Sequence, residues 1–415
     1  MKLKQQLQEP ARELPVMGEF DVVVVGGGIA GVAAALAASR AGAKVCLLEK
    51  VCALGGLATV GNVIIYLPLC DGTGRQVIGG IGEELLRLSV SDIRVEDHEA
   101  RFTRIPACWN ADGDPVARRQ QRFRVNFNPG SYILALERWL RDAGVTLLYD
   151  TRLSAVRRDA GRITHLLLES KSGRQALACR TVVDATGDAD ACHLAGEKTE
   201  SLASNVAAGW YYSLRNGKLH LRTITRKYSR TLQCTELASR GYRGDDAGQL
   251  TAQILESREM IRQDITRLRA EYPQEEIHPF APPAIACMRA TRRLVGALSL
   301  GEHHMHQWFE DTVALTGDWR RKGPVFAIAL RMLRGTANRN LIAAGRCMSA
   351  DTTIWDCTRA IPTCAVTGEA AGTAAALAAS DPDGGIDTLE AAAVRELLRR
   401  RGGLIEETLA ARAPE

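Results

Sequence analysis

Residues Asp21–Glu49 read DVVVVGGGIAGVAAALAASRAGAKVCLLE, and the fold follows from how this stretch is punctuated. Val22–Val25 form a β-branched run, the pattern of a strand buried on both faces of a parallel sheet. The Gly26-x-Gly28-x-x-Gly31 spacing follows at once. Gly26 suits a tight turn, Gly28 lets a pyrophosphate approach the backbone, and Gly31 allows close helix–strand packing. Small residues from Ile29 to Arg40 predict a helix whose N-terminal N–H groups face the phosphates. Ala43–Leu48 predict a second strand, and Glu49 ends it where a carboxylate can bond a ribose diol. A carboxylate there also disfavours a 2′-phosphate. The unit reads as a dinucleotide-binding βαβ.

Outward from this unit, a glycine-rich segment runs from Leu54 to Gly82, and a helix is predicted over Ile81–Arg87. The stretch from about 90 to 125 is broken and basic, with Arg118, Arg119, Arg122 and Arg124 close together. Tyr132–Arg141 predict a helix. Strands are predicted over Val145–Tyr149, Leu153–Arg158, Ile163–Glu169, Gln175–Cys179 and Thr181–Ala185, with a hairpin turn at Asp159–Gly161. Leu250, Ile254, Ile261, Ile265 and Leu268 share one face of a charged helix. Leu341–Ala344 predict a further strand and Thr363–Ala379 a buried helix. Asp387 with Glu390 has the spacing of a capping box for a last helix.

The chain has 415 residues, 46% of them apolar, enough for a sizeable core in two or three packed units. A net charge of +5 with no zinc-finger spacing and no basic tail argues against a nucleic-acid binder. Eleven cysteines without a CxxC pair predict buried thiols in a reducing compartment rather than a dithiol or cluster. No apolar run is long enough to span a bilayer, and the N-terminus lacks targeting features, so a cytoplasmic location is expected.

Three later segments separate a long cofactor from a nicotinamide. Gly55-Gly56 follows the acidic strand end, Thr186-Gly187-Asp188 follows a distant strand, and Gly345-Arg346 follows another. One nucleotide held by remote pieces fits extended FAD better than NAD. With EFDVVVVGGGIAGVAAALAASRAGAKVCLLEK, GGLAT, VVDATGDADACHLAG, RATRRLVG and NLIAAGRCMSA…RAIPTCAVTGEAAGTAAALA, the chain resembles an FAD-dependent oxidoreductase family. That family is related to the glutathione-reductase and fumarate-reductase/succinate-dehydrogenase flavoproteins. The resemblance implies the pyrophosphate at Gly26, Gly28 and Gly31 and the ribose at Glu49. It also implies that the Gly345-Arg346 segment returns to the flavin half, with Asp188 or Arg346 near the pyrophosphate and ribityl chain.

The expected fold class is α/β: a Rossmann-like FAD-binding domain of glutathione-reductase type with a discontinuous second α+β domain. The cofactor domain is drawn over 1–90, 126–200 and 336–380, the substrate or cap domain over 91–125 and 201–335, and a helical extension over 381–415. The expected activity is transfer of a hydride or electrons between non-covalently bound FAD and a small organic substrate. A separate electron donor or acceptor and a homo-oligomer are compatible with this. The alternatives are a nicotinamide-dependent dehydrogenase, or a flavin-bearing structural or RNA-associated protein without turnover.

Pro362 favours a helix start, and the following turn, with Thr363 and Cys364, leaves N–H groups that can face a flavin. Candidate catalytic arginines are Arg289 and Arg292, at helical spacing with Arg293 beside them, and Arg359, which could instead pair with Asp356. Cys70 is a candidate pocket-lining residue. His193 and His278 read as core, interface or loop residues, and His303, His304 and His306 as an exposed connection without a metal-binding pattern. Arg215, Lys218, Arg222, Arg226 and Arg230 form a helical-like basic stripe, read as a solvated face.

Overall fold

The computed structural model describes residues 7–225, 241–381 and 385–412, so Arg226, Arg230 and Cys234 lie outside the described residues. The first βαβ unit is strand β1 (Val16–Val25), helix α1 (Ile29–Arg40) and strand β2 (Val45–Leu48). α1 has the bounds its small-residue run predicts. β1 begins six residues before the valine run because Val16, Glu19 and Phe20 also pair with a neighbouring strand.

Five parallel strands build the central sheet in the order Thr146–Leu148, β2, β1, Gly173–Asp184, Leu341–Ala343. The two strands expected over Gln175–Cys179 and Thr181–Ala185 are one strand, Gly173–Asp184. Its first half pairs antiparallel with Arg162–Ser170 and its last residues pair with Leu341–Ala343, so the chain continues straight through Arg180. Arg152–Asp159 completes the antiparallel extension. Ala160 and Gly161 both adopt positive φ at its turn (43° and 76°), the backbone hand that suits a two-residue hairpin.

The sheet divides the core by residue parity. Val22 and Val24 join the helix side, with α1 and the helix Ile361–Ser380. Val23 and Val25 join the opposite side, with Leu166, Leu177, Ala191 and Cys192. The two helices touch backbone to backbone: a Cβ on Gly368 would strike the Ala30 carbonyl, and one on Gly372 the Ala34 carbonyl. Alanine and glycine thus serve packing through close approach rather than side-chain bulk.

The second domain is α+β. A three-stranded antiparallel sheet, Ala208–Arg215, Lys218–Thr225 and Ile277–Ala281, packs Tyr211 and Ile277 against Ile261, Ile265 and Leu268 of the helix Ala247–Glu271. This corrects the helical reading of the basic stripe: Arg215, Lys218 and Arg222 lie on a β-hairpin. Asn216 and Gly217, both at positive φ, reverse the chain between them. Arg215 pairs with Glu275 and Arg222 with Asp264.

The buried face of the helix also differs from expectation in its first half. Gln253 and Ser257 are inside, where Leu250 and Ile254 are only half-buried. The polar pair bonds backbone, Gln253 to the Val206 carbonyl and Ser257 to the Ala208 N–H. The last long helix, Ala391–Arg400, lacks the expected capping box, because Glu390 makes no cap bond and Asp387 pairs with Arg339 instead.

Candidate functional site

Four neighbouring parallel strands end at one place, three of them in a glycine-marked turn and the fourth in a carboxylate. β1 runs into Gly26–Gly28, β2 into Glu49, Gly173–Asp184 into Thr186–Asp188, and Leu341–Ala343 into Gly345-Arg346. Ligands of open α/β sheets bind outside such carboxyl ends. Gly55 closes the group: its N–H donates to the Gly27 carbonyl (2.8 Å), and it forms a bridge with Gly28.

The glycines divide by what surrounds them. A Cβ on Gly26 would stand 2.5 Å from the Ala185 carbonyl oxygen, and one on Gly31 would fall onto the Gly26 carbonyl. These two are demanded by chain packing. A Cβ on Gly28 would meet nothing within 4 Å, at an ordinary φ of −67°. That open approach lies at the N-terminus of α1, which has no side-chain cap and no acid in its first turn. Gly56 lies opposite, its notional Cβ 3.3 Å from Gly28 Cα. The cradle fits the phosphates of a dinucleotide, with backbone N–H groups and a positive helix end.

Glu49 is buried and spends part of its carboxylate on the loop. Oε2 accepts the Gly27 N–H at 2.7 Å and Oε1 the Val51 N–H at 2.9 Å. A carboxylate has about four lone-pair sites, so capacity remains for a diol. Across the cradle, Arg346 donates Nε to the Gly187 carbonyl and Nη2 to Asp188 Oδ1, both at 2.8 Å. Gly187 sits at φ 79°, a conformation that favours glycine, and its Cβ would lie 2.9 Å from Arg346 Cζ. Gly345, at φ 76°, presses on Ala30 of α1, and its N–H donates to Thr367 Oγ1 at 3.0 Å. The three remote segments therefore meet around the start of α1.

The helix Ile361–Ser380 also begins here, with Pro362 in its first turn and neither a side-chain cap nor an acid. Thr363 is buried and bonds Thr316 (Oγ1–Oγ1, 2.7 Å). Burial pushes the Cys364 thiol up to about 11, against the pull of Arg346 and Arg359, so it stays protonated near neutrality. Arg359 bonds Asp356 through Nε at 2.8 Å and through Nη2. This is the ion pair that the sequence offered as its alternative role.

The helical spacing expected for Arg289 and Arg292 is not realised, because Arg292–Leu294 is a strand paired with Thr199–Ser201. Arg292 donates to the Asp188 carbonyl (2.9 Å) and to Asp190 Oδ1 (2.5 Å). Arg293 points the other way, to Glu200 and over the Trp355 ring. Arg289 bonds Thr225 Oγ1 at 3.4 Å. Burial, with Asp188 and Asp184 beside it, raises the Asp190 carboxyl, while Lys50 and Arg292 oppose that shift.

His193 is exposed and 3.4 Å from Thr199 Oγ1, and His278 is exposed beside Glu276. His304 is buried, which corrects the reading of HHMH as wholly exposed; its ring accepts the Gly301 N–H. Cys70 is buried beside Asp71. Among the described residues, no group of three or more His, Cys, Asp or Glu side chains could hold a metal, and no helix is long and apolar enough to cross a membrane.

Sequence reasoning missed several buried polar side chains that hold the site. Thr367 receives Gly345. Asn62 Nδ2 ties the segment after Gly56 to the Trp210 and Ala281 carbonyls of the second domain. Asn205 accepts the Arg289 and Ala290 N–H groups. Glu197 collects the N–H groups of Thr336, Ala337 and Asn338 ahead of the returning strand. Isolated polar residues in loops, or one threonine within an almost wholly apolar helix, carry no periodic signal that would mark them.

The fold and this junction define a Rossmann-type dinucleotide-binding protein. The chain belongs to the FAD dependent oxidoreductase family, whose sequence profile matches residues 21–208 and 198–398, and it is accordingly an FAD-dependent oxidoreductase. A thioredoxin reductase from Ureaplasma parvum serovar 3 is 38% identical over 74 residues, spanning 18% of this chain and 24% of that protein. Among solved structures, a geranylgeranyl bacteriochlorophyll reductase-like protein from Thermoplasma acidophilum aligns with 95% of this chain and 88% of its own (14% identity, TM-score 0.46). A p-nitrophenol 4-monooxygenase from Pseudomonas putida DLL-E4 aligns over 93% and 84% (14% identity, TM-score 0.43).

Proposed function

We propose that the chain binds FAD non-covalently in an extended form and transfers a hydride or electrons between it and a small organic substrate. The observation carrying this reading is the convergence of four strand ends on one open glycine, Gly28. In this arrangement the pyrophosphate lies along Gly26, Gly28 and Gly31, with Gly55 and Gly56 above it and Glu49 on the adenosine ribose. Gly187, Asp188, Gly345 and Arg346 close the ribityl side, as in the glutathione-reductase and fumarate-reductase/succinate-dehydrogenase flavoproteins that the sequence resembles. Thr363 and Cys364 bring an uncapped helix end to the flavin.

FAD supplies the redox chemistry when bound. The chain's own residues orient and shield. The Arg346–Asp188 pair fixes the turn after one strand to the turn after another. Arg292 holds that same turn from the second domain, so it acts as a positioning residue. Arg359, fixed by Asp356 at the start of the helix, is a candidate to orient the substrate. Arg289 remains a candidate on the second domain.

Gly28→Ala tests the placement, because the new methyl group enters only the open approach. Purified wild-type protein should be yellow and release FAD on denaturation. The alanine variant should keep its unfolding midpoint without added cofactor and lose most of its flavin. Full flavin occupancy in the variant would overturn the placement.

A further inference from the structure

The basic run near 118–124 is not used by the cofactor site, yet the fold gives it a definite position. The loop Cys70–Arg75 carries two glycines at positive φ, Gly72 (84°) and Gly74 (98°). Its acid, Asp71, is already satisfied: the carboxylate accepts the Thr73 N–H at 2.8 Å and Arg75 Nε at 2.7 Å. Three other basic stems close on the same loop. Lys322 Cγ and Arg122 Cδ lie 3.0 and 3.1 Å from where a Gly72 Cβ would stand, and Arg119 Cγ lies 2.9 Å from that of Gly74.

Among the described residues no carboxylate pairs with Arg119, Arg122 or Lys322. The nearby acid Asp318 is taken by Arg320 and Arg321. Arg122 donates Nη2 to the Asp318 carbonyl, while its Nε is shielded from solvent and has no acceptor. A shielded guanidinium N–H without an acceptor is costly, and cations crowded on one loop repel one another. An oxyanion at the loop offsets the repulsion, accepting from the exposed Arg119 and Lys322.

The loop also abuts the proposed flavin end of the molecule. The Gly323 N–H donates to the Asp71 carbonyl at 2.8 Å. Gly317 lies against the Cys70 carbonyl, and its neighbour Thr316 bonds Thr363 in the first turn of the helix Ile361–Ser380.

We propose that the Gly72–Gly74 loop with Arg119, Arg122 and Lys322 is an oxyanion-recognition site, which takes a carboxylate or phosphate group of the substrate. The proposal rests on the placement of the flavin given above and specifies the substrate's charge. A guanidinium presents a planar fork and an ammonium a point charge, and together they suit either oxyanion.

The test titrates inorganic phosphate, and separately succinate, into the FAD-loaded protein at low ionic strength, read by calorimetry and by the flavin difference spectrum. Saturable binding of at least one probe is expected, and which probe binds tells phosphate from carboxylate recognition. The exposed pair Arg119→Ala/Lys322→Ala should weaken that binding by about tenfold or more, with the flavin spectrum of the unliganded protein unchanged. Arg138→Ala, which removes an equally charged exposed residue elsewhere, should bind as wild type. The proposal fails if neither probe saturates, if the double variant binds like wild type, or if Arg138→Ala loses as much. A colourless wild-type protein would instead refute the flavin placement, and calorimetry would still read the anion site.

Discussion

Single residues at the cradle differ in what they hold, and variants should separate them. Gly31→Ala places a methyl group on the Gly26 carbonyl, so it should destabilise the whole domain by 3 kcal/mol or more, above the roughly 1–3 kcal/mol typical of overpacking. Chemical denaturation checks this, and an unchanged midpoint would show that the strand–helix contact is slack. Glu369 acts through protonation. It is buried in the helix Ile361–Ser380, accepts the Ile81 N–H at 3.0 Å through Oε2, and has no partner for Oε1. Burial pushes its carboxyl up to about 8; Glu84 adds to the shift, while Arg40 and Arg401 oppose it. Unfolded, the same group has its ordinary value of about 4.3. The folded chain therefore binds the extra proton between these values, and stability falls by up to about 1.4 kcal/mol per pH unit across that window before levelling off. Glu369→Gln should flatten the slope in denaturation measured from about pH 5 to pH 8.

At the scale of elements, the spacing predicts a cap at Asp387–Glu390 that does not form, while the cap that does form, at Asn128, lies before the predicted start of its helix. Asn128 accepts the Gly130 and Ser131 N–H groups at the start of the helix Pro129–Asp142. Asn128→Ala should cost about 1 kcal/mol, read as a lowered thermal midpoint. Glu390→Ala should change nothing measurable, since Glu390 makes no cap bond. Pattern and spacing recovered α1 and the hairpin at Ala160-Gly161 because each depends on neighbours within a few residues. The Asn216-Gly217 turn is equally visible in the sequence, yet the basic periodicity across it predicts a helical stripe. There the turn residues set the geometry, and charge merely decorated an exposed face.

On the scale of the whole molecule, the site depends on how the chain returns to its first sheet. Glu197, buried after the Thr186–Asp190 turn, holds the segment that feeds Leu341–Ala343 into place beside Gly173–Asp184. Glu197→Ala strips the acceptor from three backbone N–H groups, of which that of Asn338 is buried, a loss of about 2 kcal/mol. The expected result is a lower unfolding midpoint together with reduced flavin retention, and Glu197→Gln should fall between the two. Normal flavin content in the alanine variant would mean that the returning strand needs no such anchor. The same dependence explains why Arg292 was misplaced by sequence. Its partners, Asp188 and Asp190, are about a hundred positions away along the chain.

What the amino-acid order determined by itself was the nucleotide unit, because turn, strand and helix preferences there act between neighbours: Val22–Val25, Gly26, Gly28, Gly31 and Glu49. Local chemistry also marked Gly187 and Gly345 as unusual. Only the tertiary structure decided that these glycines surround one cradle, that Gly28 alone opens into it, and that Arg292 is bound by Asp190 and the Asp188 carbonyl. Those outcomes depend on distances between residues far apart in the chain, which long-range strand pairing and close helix packing set.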